Sequence, residues 1–324
     1  MASSTIASPV SRPGNEGLLA RLRGADQVSY LVTLACAAAI FVVVALIVQE
    51  LWTNSQPAIK AFGWSFLWTS RWDPNGGHFG ALPFIYGTCV TSALALLIAV
   101  PLGVASAIFL AEMAPPKLSN LLTFLIELLA AVPSVIYGLL GIFVLLPLIR
   151  SYVVPPLKGA LGFTPLFEGN FYGVSFLSAG LVLAVMIVPF IVSVSREVLL
   201  AVPAEQREAA LALGATKWET TWDIVLPNAR TGIFGSIFLA LARALGETMA
   251  VTMVIGNTPT LKASLLSPGY SIAAVIANEF AEASGDLYVS SLILAGLVLF
   301  GLTIAINALA RILILATSQR VATP

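Results

Sequence analysis

Long stretches of this chain carry almost no charge, and that property fixes most of what it can fold into. Cutting the sequence at its charged residues leaves six apolar runs, near residues 28–48, 84–110, 126–149, 173–194, 231–255 and 287–310, with Glu127, Arg243 and Glu247 the only charges inside them. The hydrocarbon core of a bilayer, about 30 Å thick, is crossed by about 20 helical residues. Lipid offers no partner to a free backbone N–H or C=O, so each run must cross as a helix. The sequence predicts an all-α polytopic membrane protein with six transmembrane helices.

Composition points the same way. Of 324 residues, 58% are hydrophobic and 10% charged, where a soluble domain carries about 25% charged residues. Sixteen basic and 16 acidic residues cancel, leaving no basic face of the kind nucleic acid requires. Cys36 and Cys89 each lie in an apolar run and read as small buried hydrophobes, not as metal ligands or a disulfide. Pro101, Pro133, Pro147 and Pro189 fall within the runs, where neighbouring helices can satisfy the backbone groups they free. The uncharged stretch 27–49 exceeds the roughly 7–15 residues of a signal-peptide core, so the first run is read as a retained span. The preceding LLARLRGA, residues 18–25, reads as a basic flank that helps fix orientation.

Orientation follows from counting Lys and Arg by side. With the N-terminus cytoplasmic, that side holds Arg12, Arg21, Arg23, Lys117, Arg196, Arg207, Lys217, Arg230, Arg311 and Arg320, and the other holds Lys60, Arg71, Arg150, Lys158 and Lys262. Ten against five predicts both termini inside. The polar stretch between the fourth and fifth runs then faces the cytoplasm.

That stretch, VPAEQREAALALGATKW, reads as a helix with Pro203 in its first turn, Glu205 and Glu208 near its N-terminus, and Gly214 as its stop. About ten residues long, it is too short to be stable alone in water. Ala209, Ala210 and Ala212 keep part of its surface narrow, suiting a helix seated in a partner's groove; an ordinary loop helix packed on its own bundle is the alternative. A second helical stretch, TKWETTWDIVLP, is expected to stop near Pro227.

Glu208, Ala209, Ala210, three residues, Gly214, nine residues, Ile224, one residue, Leu226 and Pro227 complete the pattern EAA-x3-G-x9-I-x-LP. In this the chain resembles the permease subunits of bacterial ABC importers. The resemblance implies a type I importer permease fold in which this loop is the coupling helix, docked in a cleft of a separate ATPase subunit. Glu208, Ala209, Ala210 and Gly214 would then be its docking and turn residues. The chain contains no G-x-x-x-x-G-K-[ST] phosphate loop, so ATP and Mg would be held by that partner and no cofactor or metal by this chain.

Arg243 and Glu247 lie roughly 18 and 24 Å along a helix begun at Thr231. A central arginine costs about 2.5–3.5 kcal/mol to insert, so such groups normally face a bundle interior or an aqueous path. Their spacing of four residues allows an internal ion pair. Such a pair either joins helices or lines a pathway, and its base-first order is the weaker one for helix stability alone. Three segments, RALGETMAVTMVIGNT at 243–258, ELLAAVPSVIYGLLGIFVLLP at 127–147 and IANEFAEA at 276–283, are jointly similar to permease subunits of the bacterial phosphate importer. The similarity extends over about residues 85–311. It implies that Arg243 and Glu247 belong to the substrate pathway, with Arg243 easing the anion past the membrane's middle and Glu247 holding the arginine. Permeases for molybdate or sulfate carry a related RALGE segment, so another oxyanion is the alternative substrate.

The implied assembly is a second homologous permease, two copies of an ATP-binding subunit and an extracytoplasmic phosphate-binding protein, in a bacterial cell membrane. Residues 1–84 would form an N-terminal segment with the first span and an outward loop, 85–311 the transporter domain, and 312–324 a cytoplasmic tail. Glu127 falls either inside the third span or, by the preferred reading, at its interface. Asn257, Asn278, Glu279 and Glu282 fall in the outward loop before the sixth span, where they either contact an external binding protein or, by the preferred reading, are solvated. Two rivals remain: an ion-coupled secondary transporter with Glu247 as proton carrier, and an intramembrane enzyme. The second has only His78 as a histidine and lacks H-E-x-x-H and G-x-S-x-G motifs.

Overall fold

The computed structural model describes the backbone of residues 15–319 and the side chains of residues 28–312. Arg12, Arg320 and the rest of the tail from residue 320 lie outside those limits, as do the side chains of the flank at 18–25, Arg21 and Arg23 included, and of residues 313–319. The chain divides into two compact units, Met1–Thr53 and Asn54–Pro324. The first is built on one helix, α1 (Asn15–Asn54). Cys36 is exposed on it and Cys89, in the second unit, is half-buried; both are free thiols. The expectation that both are buried is corrected for Cys36, since an apolar thiol meets no penalty on a helix surface bathed in lipid.

Five further helices in the second unit are long and apolar enough to cross a membrane, giving six with α1 among the described residues. They are α2 (Leu82–Met113), α4 (Ser134–Leu161), α5 (Phe176–Leu200), α7 (Lys217–Gly246) and the apolar part of α10 (Asp286–Gln319). Shorter helices connect them: α3 (Pro116–Ala130), α6 (Ala204–Ala212), α8 (Met249–Ile255) and α9 (Ile272–Glu279). Among the described residues the only β pairing is an isolated bridge between Asp73 and His78.

The centre of the second unit is α5, whose Phe176, Leu183, Ile187, Ile191 and Leu199 are fully buried. Its start is fixed by Ser175, which accepts a hydrogen bond from the Ser178 N–H at 3.1 Å. Lipid tails are as apolar as leucine, so spans associate through close packing and not through the hydrophobic effect. Small residues supply that closeness. A Cβ on Gly103 of α2 would stand 2.7 Å from Ile191 Cγ2, and one on Gly180 of α5 would stand 2.5 Å from Leu94 Cδ2. Because 94 meets 180 and 103 meets 191, α2 and α5 run parallel and end at the same side of the bundle.

Three departures from the sequence reading bear on function. The third run is broken: α3 ends at Ala130, Pro133 precedes α4, and Glu127 lies exposed on α3, before the break. The fifth run is broken too, with α7 ending at Gly246 and α8 starting at Met249. Pro227, expected to stop a helix, does not. Residues Thr220–Val225 form a π-helical turn just before it, and such a turn takes up the i→i+4 bond and the space that proline denies. The helix continues unbroken into the membrane.

Candidate functional site

Pro203 precedes α6, and Gly214 follows it at φ +92, a left-handed conformation open to glycine. The chain then re-enters helix through a capping box. Thr216 Oγ1 accepts from the Glu219 N–H at 3.3 Å while Glu219 Oε2 accepts from the Thr216 N–H at 2.7 Å. Between α6 and the start of α7 lies an open cleft of about 830 Å³, lined by Ala209, Ala210, Leu213, Gly214, Asp223 and Asn228 among others.

No residue of α6 is buried. Glu208 and Ala209 are exposed, Ala210 is half-buried, and Leu213 at the tip is 91% exposed. Leu213 was readable in the sequence as an apolar residue just before the stop, a signal the motif itself does not include. Arg207, counted above only for orientation, turns inward and ties α6 to the ends of α2 and α5.

The second candidate pair is rearranged by the break in the fifth run. Arg243 lies exposed in the last turn of α7. Glu247 falls beyond the helix, at ψ 125, and its Oε1 accepts a hydrogen bond from the Ala250 N–H at 3.1 Å. The two do not form a salt bridge among the described residues, which corrects the expectation that Glu247 holds Arg243. Gly246 is the physical cause, since it ends the helix on which the spacing of four would have brought them together. The carboxylate instead meets an N–H group in the first turn of α8.

Arg243 lies within electrostatic reach of the Tyr137 hydroxyl on α4, which donates to the Leu129 carbonyl at 2.6 Å across the Pro133 break. The outer part of the fifth crossing packs on the start of α4, where a Cβ on Gly138 would stand 3.2 Å from Ala250 Cα. Both interrupted crossings thus resume side by side, and α4 and α8 start at one level of the bundle. Discontinuous helices of this kind line substrate sites in transporters.

At the opposite end from α6, Glu279 is half-buried and bonded, in place of the expected free solvation. Its Oε2 accepts from Trp72 Nε1 at 2.8 Å and from the Tyr288 hydroxyl at 2.7 Å, amid ring contacts of Trp72 with Phe79 and Phe84. Burial of those rings demanded a partner for their polar atoms. Asn278 and Asn257 are exposed, as expected, while Asn278 Nδ2 donates to the Tyr270 hydroxyl at 3.1 Å and Asn257, at φ +49, donates to the Thr252 carbonyl at 3.0 Å. Glu282 is exposed, as expected.

Six helices of membrane-spanning length, joined by short helices of which α6 has no buried residue, define a polytopic membrane protein. The chain belongs to the binding-protein-dependent transport system inner membrane component family, whose profile matches residues 99–321. It is a multi-pass inner-membrane transport component. More particularly, it is similar to the phosphate transport system permease protein PstC of Xylella fastidiosa, with 46% identity over 327 residues covering 99% of both chains. PstC of Mesorhizobium japonicum is 43% identical over 324 residues, again covering 99% of each. Among solved structures, a chain of a bacterial alginate ABC transporter in complex with an alginate pentasaccharide-bound periplasmic protein matches at a TM-score of 0.58 and 15% identity, covering 94% of this chain and 99% of that one. That likeness establishes the shared fold. Membership of this family speaks against the secondary-transporter and intramembrane-enzyme readings.

Proposed function

We propose that this chain is one of two permease subunits of an ATP-driven phosphate importer, with both termini and α6 in the cytoplasm. One observation carries the reading: α6 presents Glu208, Ala209 and Leu213 outward from a bundle similar over 99% of its length to phosphate permeases. Two copies of an ATP-binding subunit, holding ATP and Mg, would seat α6 and its counterpart, and an extracytoplasmic phosphate-binding protein would deliver the anion. Residues 85–311 would form the translocating domain. ATP binding closes the motors, α6 moves, and the spans change which side is open.

Phosphate carries one to two negative charges at neutral pH, and a guanidinium suits it through charge and planar donor geometry. Arg243 supplies that group near the middle of the membrane. Since Glu247 is occupied in capping α8, the arginine keeps its charge and donors for the anion. A pathway needs attraction weak enough to release what it admits, and a lone exposed arginine beside a route meets that condition better than a closed cage.

The test is ATP-dependent phosphate uptake into proteoliposomes holding the assembled complex and its binding protein. Uptake of phosphate, and loss of that uptake in Arg243→Gln with assembly intact, support the reading. Normal phosphate uptake by Arg243→Gln removes the pathway role, and transport of molybdate or sulfate in place of phosphate overturns the substrate.

A further inference from the structure

With no buried residue in α6, apolar packing contributes little to holding the helix on the bundle, and nine residues are too few to form a stable helix alone. Polar ties must do it. Asn228 Nδ2 donates to Gln206 Oε1 at 2.9 Å, an exposed bond open to water. The stronger attachment comes from Arg207. Its Nη1 donates to the Val202 carbonyl at 2.5 Å, and its Nη2 donates to the Leu199 carbonyl at 2.7 Å and to Glu112 Oε1 at 3.0 Å.

The acceptors belong to two different spans. Leu199 lies in the last turn of α5, where its carbonyl also takes the Val202 N–H at 3.3 Å, and Val202 follows just past the helix end, while Glu112 lies in the π-helical turn that ends α2. The Arg207 and Glu112 side chains are 21% and 12% exposed, so water competes weakly for the contact. A guanidinium is planar with its donors in a fixed fork, which lets one side chain hold several acceptors in a set relation. Lysine, with a point charge on a flexible stem, lacks that property.

We propose that Arg207 is the positioning residue that makes α6 move as one body with the ends of α2 and α5, so that a displacement applied to α6 reaches both spans together. The inference rests on the reading of α6 as the helix docked on an ATPase. The parallel pair suits such a load. Close packing at Gly103 and Gly180 joins α2 to α5 along their length, so a push shared between their ends carries the pair without prying it apart.

The readout is the number of phosphate ions transported per ATP hydrolysed by the assembled complex in proteoliposomes. Arg207→Ala is expected to lower this ratio by about tenfold, inside the range for mutations that alter coupling between distant sites, while ATP hydrolysis continues. Arg207→Lys should fall between Arg207→Ala and the native chain. Glu112→Gln, which keeps an oxygen acceptor, should lose less than Glu112→Ala. A native ratio in Arg207→Ala and Glu112→Ala overturns the proposal; if Arg207→Ala does not assemble, the native ratio in both Glu112 variants overturns it. Disulfide cross-linking of Leu213→Cys to a cysteine in the ATPase cleft tests the docking reading separately. Absence of the cross-link overturns that reading, whereas a cross-link together with native coupling in the Arg207 and Glu112 variants overturns the Arg207 role alone.

Discussion

Arg243 and Glu247 stand four residues apart and do not pair, because Gly246 ends α7 between them and the Glu247 carboxylate accepts from the Ala250 N–H at 3.1 Å. Their base-first order, unfavourable within one continuous helix, is the favourable order at a junction of two. The first turn of α8 presents N–H groups toward the glutamate. The charge that the membrane penalises is thereby offset locally on the acidic side and left available on the basic side.

Glu247 therefore has a separable structural role. Glu247→Ala removes the oxygen that caps α8 and should lower stability by about 1 kcal/mol, the usual cost of losing a helix N-cap. Glu247→Gln keeps an oxygen acceptor and should lose less. Thermal unfolding of the purified complex in detergent, compared across the native chain and both variants, checks the order native, Gln, Ala. Equal losses in Gln and Ala would show that charge and not capping is what Glu247 contributes to the fold.

The six crossings were legible because the bilayer imposes one rule on every uncharged run, and the EAA pattern was legible because its residues lie within one stretch, 208–227. The breaks were harder to read. Pro133 and Gly246 sit in runs whose hydropathy continues on both sides, and nothing local distinguishes Pro133, which separates helices, from Pro101 and Pro189, which lie inside them. What decides is the packing of α4 against α8, set by residues more than a hundred positions apart in the chain, Gly138 and Ala250. The same holds for Arg207 with Glu112, separated by 95 residues, and for Trp72 with Glu279, separated by 207. A charge read alone in a loop is a solvated charge, and only the fold supplies its partner.

Gly214 tests the shape of the loop that ends α6. Its φ is +92 and a Cβ there would meet nothing within 4 Å, so substitution is strained by the backbone and not by crowding. Gly214→Ala should destabilise the turn by about 1–2 kcal/mol, the cost of a left-handed conformation for an ordinary residue. Asparagine tolerates that region better, so Gly214→Asn should retain more binding. Co-purification of the ATPase subunit with each variant measures the outcome, with the order Gly, Asn, Ala expected.

Gly87 tests close packing at the other end. A Cβ on Gly87 of α2 would run into the Tyr270 carbonyl oxygen, a backbone atom that cannot rotate away. Gly87→Ala should therefore cost about 1–3 kcal/mol, as overpacking does. Gly159→Ala on α4 is the control, since a Cβ there meets nothing within 4 Å, and alanine in a helix is favoured over glycine by up to about 1 kcal/mol. Unfolding midpoints in detergent should fall for the first and hold or rise for the second.

Tyr270 gives the outer end a pH signature. Burial pushes its phenol up to about 12, with the Asn278 amide opposing and the negative charge of Glu279 reinforcing the shift. In the unfolded chain a tyrosine ionises near pH ~10. Below that pH both states hold the proton and the contribution to stability is fully present. Between about 10 and about 12 the unfolded state has released a proton that the folded state retains, so stability declines as pH rises through this window. Lysines and other tyrosines titrate there too, and the difference between the native chain and Tyr270→Phe isolates this one. Denaturation measured at steps across the window should show a steeper fall for the native chain. Parallel curves would place the Tyr270 phenol in an environment no different from water, contrary to its burial against Phe84 with ring centroids 5.3 Å apart.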